Sequence, residues 1–268
     1  MKISYYKVNP TGNITLIVET PVKRESQAAV AAKLMEKDKT AEQVGFIEAP
    51  CSGCAAVRLQ MMGGEFCGNA SISTAAVLMD KAGLDSNRIL LEVSGIDEDI
   101  SVTVVRNAEG GFTGTVDMPI PEAVYDYTFI NGFDTYTFPL VRFPGICHVI
   151  INRRFSPVLA EKLIADWCRQ LKADALGLMF FDEGSKKLEP LVYVASTGTT
   201  VWENSCASGT CAVAAYLAKA KRRNTTVRLR QHGGILSAEA EFSSNAVRSI
   251  KLTGSAIIEG YFGTDINT

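Results

Sequence analysis

The chain is poor in several residue types on which whole chemistries depend. It has two histidines and two tryptophans in 268 residues, and 27 basic against 29 acidic side chains leave a formal charge of −2. Near-neutral charge gives no footprint for nucleic acid or for an anionic membrane surface. No apolar run reaches the roughly 18–20 residues that a spanning helix needs. The opening MKISYYKVNPTGN has neither the apolar core nor the small-residue cleavage site of a secretion signal. A soluble cytoplasmic protein is expected. Its one C-x-x-C, CSGC at 51–54, has no second pair, and with so little histidine a zinc site is not expected. No glycine-rich phosphate loop joins a strand to a helix, because Gly110 and Gly111 fall in an expected hairpin turn.

What the chain does have is cysteine, at 51, 54, 67, 147, 168, 206 and 211. An odd number with no secretion signal argues against a disulfide framework. Free cysteine usually packs as a small hydrophobe, and that reading suits Cys51, Cys54, Cys147, Cys168 and Cys211. Cys67 and Cys206 differ in their setting.

Strand and helix patterns alternate along the chain. Residues 14–19 (ITLIVE), 44–48 and 56–61 read as strands. Residues 27–37 read as a helix with Ser26 as N-cap, and 69–81 as a second helix. Residues 89–93 and 100–105 form an expected hairpin, and the two prolines of MPIP (118–121) break any regular element. The pattern then recurs: strand over 135–152, helix over 158–171 opened by Ser156 and Pro157, strands over 176–181 and 191–195, helix over 210–221, and a hairpin beginning at 227–230. CGNASISTAAVL from Cys67 and CASGTCAVAAYL from Cys206 superpose at an offset of 139 (206 − 67), which also carries Gly95 onto Gly234. Order, spacing and flanking elements agree, so an internal duplication into two similar halves is expected. The expected division is 1–118, carrying Cys67, and 119–257, carrying Cys206, with residues about 258–268 returning to the first half.

Each of these cysteines stands at the mouth of an expected helix and is followed by small residues. A helix N-terminus carries roughly half a positive charge and free N–H groups. It favours an anion such as a substrate carboxylate, and it depresses a nearby thiol from about 8.5 toward 3.5–7.5. Both thiols are therefore expected to ionise readily. Two equivalent acid–base thiols suit racemisation α to a carboxylate, where a base works on one face of the carbon and an acid on the other.

At these residues the sequence resembles the diaminopimelate epimerase family of cofactor-independent amino-acid racemases. The shared pieces are PTGN (10–13), VGFIE (44–48), EFCGNA (65–70), His148 at a strand entry, and ENSCASGT (203–210). The resemblance implies an α+β fold of two pseudo-symmetric lobes, each a curved, mostly antiparallel, barrel-like sheet around a central helix. It implies catalysis by Cys67 and Cys206 with His148 in the site. Substrate would be bound by Asn13, Gly68, Asn69, Ser208, Gly209 and Thr210. No pyridoxal phosphate, nucleotide or metal is implied; the partner is a small amino acid, and a homodimer is open. Departures bear on the substrate. Thr197 and Gly198 replace a Glu-Arg pair, residues 61–64 shorten an Asn-Ala-Asp-Gly segment, Glu48 replaces Gln, and Ile146 replaces Asn. Without the arginine there is no planar clamp for a distal carboxylate. NPTGN, EQVGFIE and WENSCASGT are more similar to the histidine racemase sub-family of staphylopine-type metallophore synthesis. There Glu42 and Glu203 would assist proton transfer, and Glu42 or Glu48 would contact a cationic side chain. Diaminopimelate or diaminobutyrate epimerisation stays open within the fold. Outside it stand a cysteine hydrolase using His148, a thiol redox protein using Cys51 and Cys54, and a non-catalytic binding protein.

Overall fold

The computed structural model describes residues 1–51 and 53–266. The chain divides into two compact units, Met1–Asp117 together with the chain from Thr253 on, and Met118–Leu252. The two expected residues 267 and 268 of the returning segment lie outside the described residues.

The first unit runs β1 (Lys2–Asn9), β2 (Thr15–Val18), α1 (Arg24–Lys37), β3 (Gln43–Glu48), β4 (Val57–Met61), α2 (Gly68–Ala82), β5 (Ser86–Val93), β6 (Ile100–Arg106) and β7 (Phe112–Met118). These strands lie side by side in chain order, and β16 (Ala246–Asp265) follows β7. β16 also pairs antiparallel with β1, Tyr6 opposite Tyr261, with a register shift between Lys7 and Val8. Two pairs are parallel, β2 with β3 and β4 with β5. Parallel neighbours need a long crossover, and α1 and α2 are those crossovers.

The second unit runs β8 (Ala123–Asn131), β9 (Asp134–Phe143), β10 (Ile146–Ile151), α3 (Pro157–Leu171), β11 (Ala175–Asp182), β12 (Lys187–Val194), β13 (Thr199–Trp202), α4 (Ala207–Lys221), β14 (Thr225–Gln231) and β15 (Gly234–Ser243). Its order is β8-β9-β10-β11-β12-β14-β15-β16, with β13 on β12. Its parallel pairs, β10 with β11 and β12 with β14, are again those bridged by helices.

The helices divide into two kinds. α1 buries Gln27, Val30, Ala31 and Leu34, and α3 buries Ala160, Leu163, Ile164, Trp167, Cys168 and Leu171. Spacings of three and four put each set on one face. α2 and α4 are buried almost all round, and alanine, serine and threonine keep them slim. Trp167 anchors the second unit's core, stacked on Phe129 at 4.2 Å. Phe46 and Leu34 occupy the first unit's core.

Three local expectations change. α1 starts at Arg24 with Lys23 as an N-cap whose side chain makes no capping bond, so Ser26 lies inside the first turn. α2 and α4 begin at Gly68 and Ala207, a turn or less before the positions expected. The strand expected over 135–152 is two strands, β9 and β10, parted by a turn in which Gly145 takes φ 76°. The α3 cap is as expected, Ser156 Oγ accepting from Leu159 N–H. No helix of the described residues is long and apolar enough to cross a membrane.

Candidate active site

Cys67 and Cys206 are each the N-cap of their helix. Cys67 Sγ accepts the Ala70 N–H at 3.4 Å, and Cys206 Sγ accepts the Gly209 N–H at 3.3 Å. Both residues are extended, with φ −135° and ψ 112° at Cys67 and φ −119° and ψ 112° at Cys206. The parallel continues one turn on: the Ser71 hydroxyl donates to Cys67 O at 2.8 Å, and the Thr210 hydroxyl to Cys206 O at 2.7 Å. An N-cap side chain normally supplies oxygen to the N3 N–H. Here sulfur does so in both units, and the same N–H group supports a thiolate.

In the first unit the turn before β2 delivers Asn13. Thr11 and Gly12 take positive φ, and Gly12 N–H donates to Asn9 Oδ1 at 2.6 Å. Asn13 is buried, and its Nδ2 donates to Glu42 Oε2 at 2.7 Å. Gln43 Nε2 donates to Asn13 Oδ1 and to Thr15 Oγ1, the latter at 2.8 Å. Gln43 Oε1 in turn accepts from Cys67 Sγ at 3.2 Å. Asn13 and Glu42, both expected from sequence, thus join Cys67 through Gln43, which was not. Its only signal was its place between Glu42 and the VGFIE strand. Gly68 and Asn69 hold the first two helical positions, whose N–H groups precede the intrahelical ladder. Asn69 Oδ1 is buried and has no hydrogen-bond partner among the described residues.

Glu48 is placed differently. Its carboxylate is held by Arg24 at 2.8 Å and Gln27 at 2.8 Å, with Arg58 at 3.7 Å. Burial opposes ionisation, but these bonds and charges outweigh it and keep the group below the usual carboxylate range. It ties α1 to β3, a job that already engages the charge expected to meet substrate.

In the second unit Cys206 is 5% exposed. Its thiol lies well above the ordinary range. Burial contributes most, then the charge and hydrogen bond of Glu203, against lowering by Ser208 and the Gly209 N–H. The depressed thiol expected from the helix mouth is therefore corrected for Cys206, because desolvation and a neighbouring carboxylate outweigh the helix terminus. Glu203 stands beside this thiol and hydrogen-bonds with it. Ser208 Oγ lies 3.6 Å from Cys206 Sγ and 2.9 Å from His148 Nε2. His148 is fully buried, and burial pushes it down to about 3, so the ring is neutral. A neutral ring on Ser208 is not the imidazolium partner a cysteine hydrolase needs.

Two expected binding groups are occupied internally. Thr210 N–H bonds Cys206 O at 3.1 Å, and Gly209 N–H bonds the thiol. Gln231, absent from the sequence expectations, clamps this turn: its Oε1 accepts Cys206 N–H at 2.8 Å and its Nε2 donates to Thr210 Oγ1 at 2.9 Å. Gly209 is required by space, since a Cβ there would meet Met179 Sδ at 2.2 Å and Cys206 Sγ at 3.2 Å. Among the described residues no three His, Cys, Asp or Glu side chains converge as a metal set.

A sheet-dominated α+β chain with four helices among its described residues, and a thiol capping the buried helix of each unit, has the fold of the racemase and epimerase class. A hydroxyproline epimerase from Agrobacterium vitis matches with a TM-score of 0.72 at 10% identity, covering 98% of this chain and 92% of that one. Residues 2–260 match the family described as the histidine racemase CntK N-terminal domain. Histidine racemases of Fusobacterium nucleatum and Staphylococcus aureus are similar to it. The first is 35% identical over 228 residues (82% of each chain), the second 29% identical over 220 residues (80% of this chain, 79% of that one). The chain belongs to the histidine racemase family.

Proposed function

We propose that this protein is an isomerase that interconverts L- and D-histidine by two-base chemistry on Cys67 and Cys206, without an added cofactor. The observation that carries the reading is the repeated N-cap: each thiol accepts the N3 N–H of a buried helix in the same backbone conformation. Membership in the histidine racemase family supports the choice of reaction and substrate.

A two-base racemase needs one thiolate and one thiol at the start of each turnover. Cys206, raised by burial and by Glu203, supplies the thiol. Cys67 supplies the thiolate, which takes the α-proton; Cys206 then returns a proton to the opposite face of the carbon, and the roles exchange in reverse. A helix N-terminal N–H group suits the substrate carboxylate, whose negative charge grows in the carbanionic transition state, and Gly68, Asn69 and Ser208 each hold a first-turn position of their helix. The unpartnered Asn69 Oδ1 suits a substrate N–H. Glu42 suits the imidazole or the ammonium. His148 acts through Ser208 as a positioning group. The pairing of β1 with β16, at the far end of the first unit's strand order, supports a barrel-like, diaminopimelate epimerase-like wrap around α2.

Incubation with L-histidine in deuterium oxide should label Cα and erase optical rotation. Cys67→Ser and Cys206→Ser should each abolish racemisation. A protein that exchanges the α-hydrogen of no amino acid in a panel including diaminopimelate and diaminobutyrate would overturn the assignment. So would a Cys206→Ser variant of full activity.

A further inference from the structure

The hydrogen bonds that run from Glu42 to Cys67 have a direction that one end imposes. An ionised carboxylate can only accept, so Asn13 must offer it Nδ2 and turn Oδ1 the other way. Oδ1 can only accept, so Gln43 must offer Nε2 to it, and Thr15 Oγ1 takes the second hydrogen of the same nitrogen. The remaining end of Gln43, Oε1, then faces Cys67 Sγ at 3.2 Å and accepts its proton. Each amide is oriented by its neighbour, starting from the charge on Glu42.

We propose that Gln43 and Asn13 are positioning residues that form a directional amide relay, coupling the protonation of Cys67 to that of Glu42. With Glu42 ionised, the relay presents a carbonyl to Cys67 and holds it as thiol. When Cys67 is thiolate, the state in which it takes the α-proton, both amides turn over: Gln43 Nε2 donates to sulfur, Asn13 Nδ2 donates to Gln43 Oε1, and Asn13 Oδ1 accepts from a protonated Glu42. Thr15 follows by rotating its hydroxyl, which in the first state donates to Asn13 O at 3.0 Å. The two states contain the same atoms and one shared proton, on sulfur in the first and on carboxyl oxygen in the second, and no redox step is involved. Glu65, the other carboxylate at this turn, accepts from the Gly63 backbone N–H and is not a link in the chain. The Ala70 N–H on Sγ supports the thiolate state from the α2 side.

The relay rests on the role given to Cys67 above, and its test reads that thiol without turnover. A failed relay and a failed racemase assignment therefore give different results. The protein is alkylated with iodoacetamide across pH 5–11, and modification is followed on the Cys67 peptide by mass, which separates it from exposed Cys51 and Cys54. Glu42→Gln removes the charge and lets the amides choose either direction, so the Cys67 midpoint should fall by about one pH unit. Labelling below both midpoints then rises about tenfold. In a Gln43→Met background, which cuts the relay at nearly constant volume, the shift caused by Glu42→Gln should fall to less than half. Asn13→Leu, which cuts the other link, should do the same and serves if Gln43→Met does not fold. As a second sign test, Gln43→Glu should raise the midpoint. A Glu42→Gln shift that keeps more than half its size in the cut backgrounds would mean that Glu42 acts directly on the thiol, and the relay would be wrong.

Discussion

His148 makes the second unit sensitive to acid in a calculable way. The ring is completely buried, its Nε2 is bonded to Ser208, and its Nδ1 has no hydrogen-bond partner among the described residues. Gly177 closes off that side, since a Cβ there would lie 2.3 Å from Nδ1. Burial lowers the folded-state value to about 3, whereas an unfolded histidine titrates near 6.5. Below pH 6.5 the unfolded chain takes up a proton that the folded chain refuses, so stability falls as pH falls. Full expression of this gap would cost about 5 kcal/mol near pH 3, at 1.36 kcal/mol per pH unit. Between pH 7 and pH 5 the same linkage gives a loss of about 2 kcal/mol. A change of that size moves a midpoint by about 4–8 °C in a domain of this size. The measurement is thermal or urea unfolding of the wild type and of His148→Gln at both pH values. Glutamine does not titrate, so the variant, whatever its starting stability, should lack this part of the acid loss. Equal losses in wild type and variant would refute the account, since His148 would then be either charged in the fold or free to be so.

Three further outcomes follow from the same geometry. Glu203→Gln removes a like charge beside Cys206 and should lower that thiol by about one pH unit, read by thiolate absorbance or alkylation of the Cys206 peptide. Burial, the larger cause, stays in place, so the thiol should remain above its ordinary range. Gly209→Ala should cost about 1–3 kcal/mol from overpacking against Met179 and Cys206, and Met179→Ala should recover part of the loss in an unfolding cycle. Trp167→Ala, deleting the ring stacked on Phe129, should cost about 3–5 kcal/mol in the second unit's unfolding while leaving Cys67 alkylation unchanged.

Much of this was legible in the residues because the relevant signals are local. A β-branched run, a Ser-Pro helix opening and an alanine-rich segment after a cysteine are decided within a few residues. α2, α3, α4 and the sulfur caps accordingly lie where the patterns put them, to within a turn. The strands that escaped notice include β7 and β8, on either side of MPIP, and the two end strands, whose signal is weak. β1 reads KISYYKVN and β16 mixes Lys, Arg, Glu and Gly over 20 residues. Both become strands by pairing with each other across most of the chain, a partner no window of sequence contains.

The sequence by itself determined the two cysteines, their repeated helix mouths and the family, since these depend on residue identity and short spacing. Tertiary structure alone decided how each thiol is held. Whether a thiol is drawn toward ionisation or away from it depends on what surrounds it in space, and burial with Glu203 reverses at Cys206 what the helix terminus alone would do. Proximity likewise committed Glu48 to Arg24 and Gln27 and brought Gln43 onto Cys67. Charge, desolvation and hydrogen bonding act through distance, and distance between residues far apart in the chain exists only once it has folded.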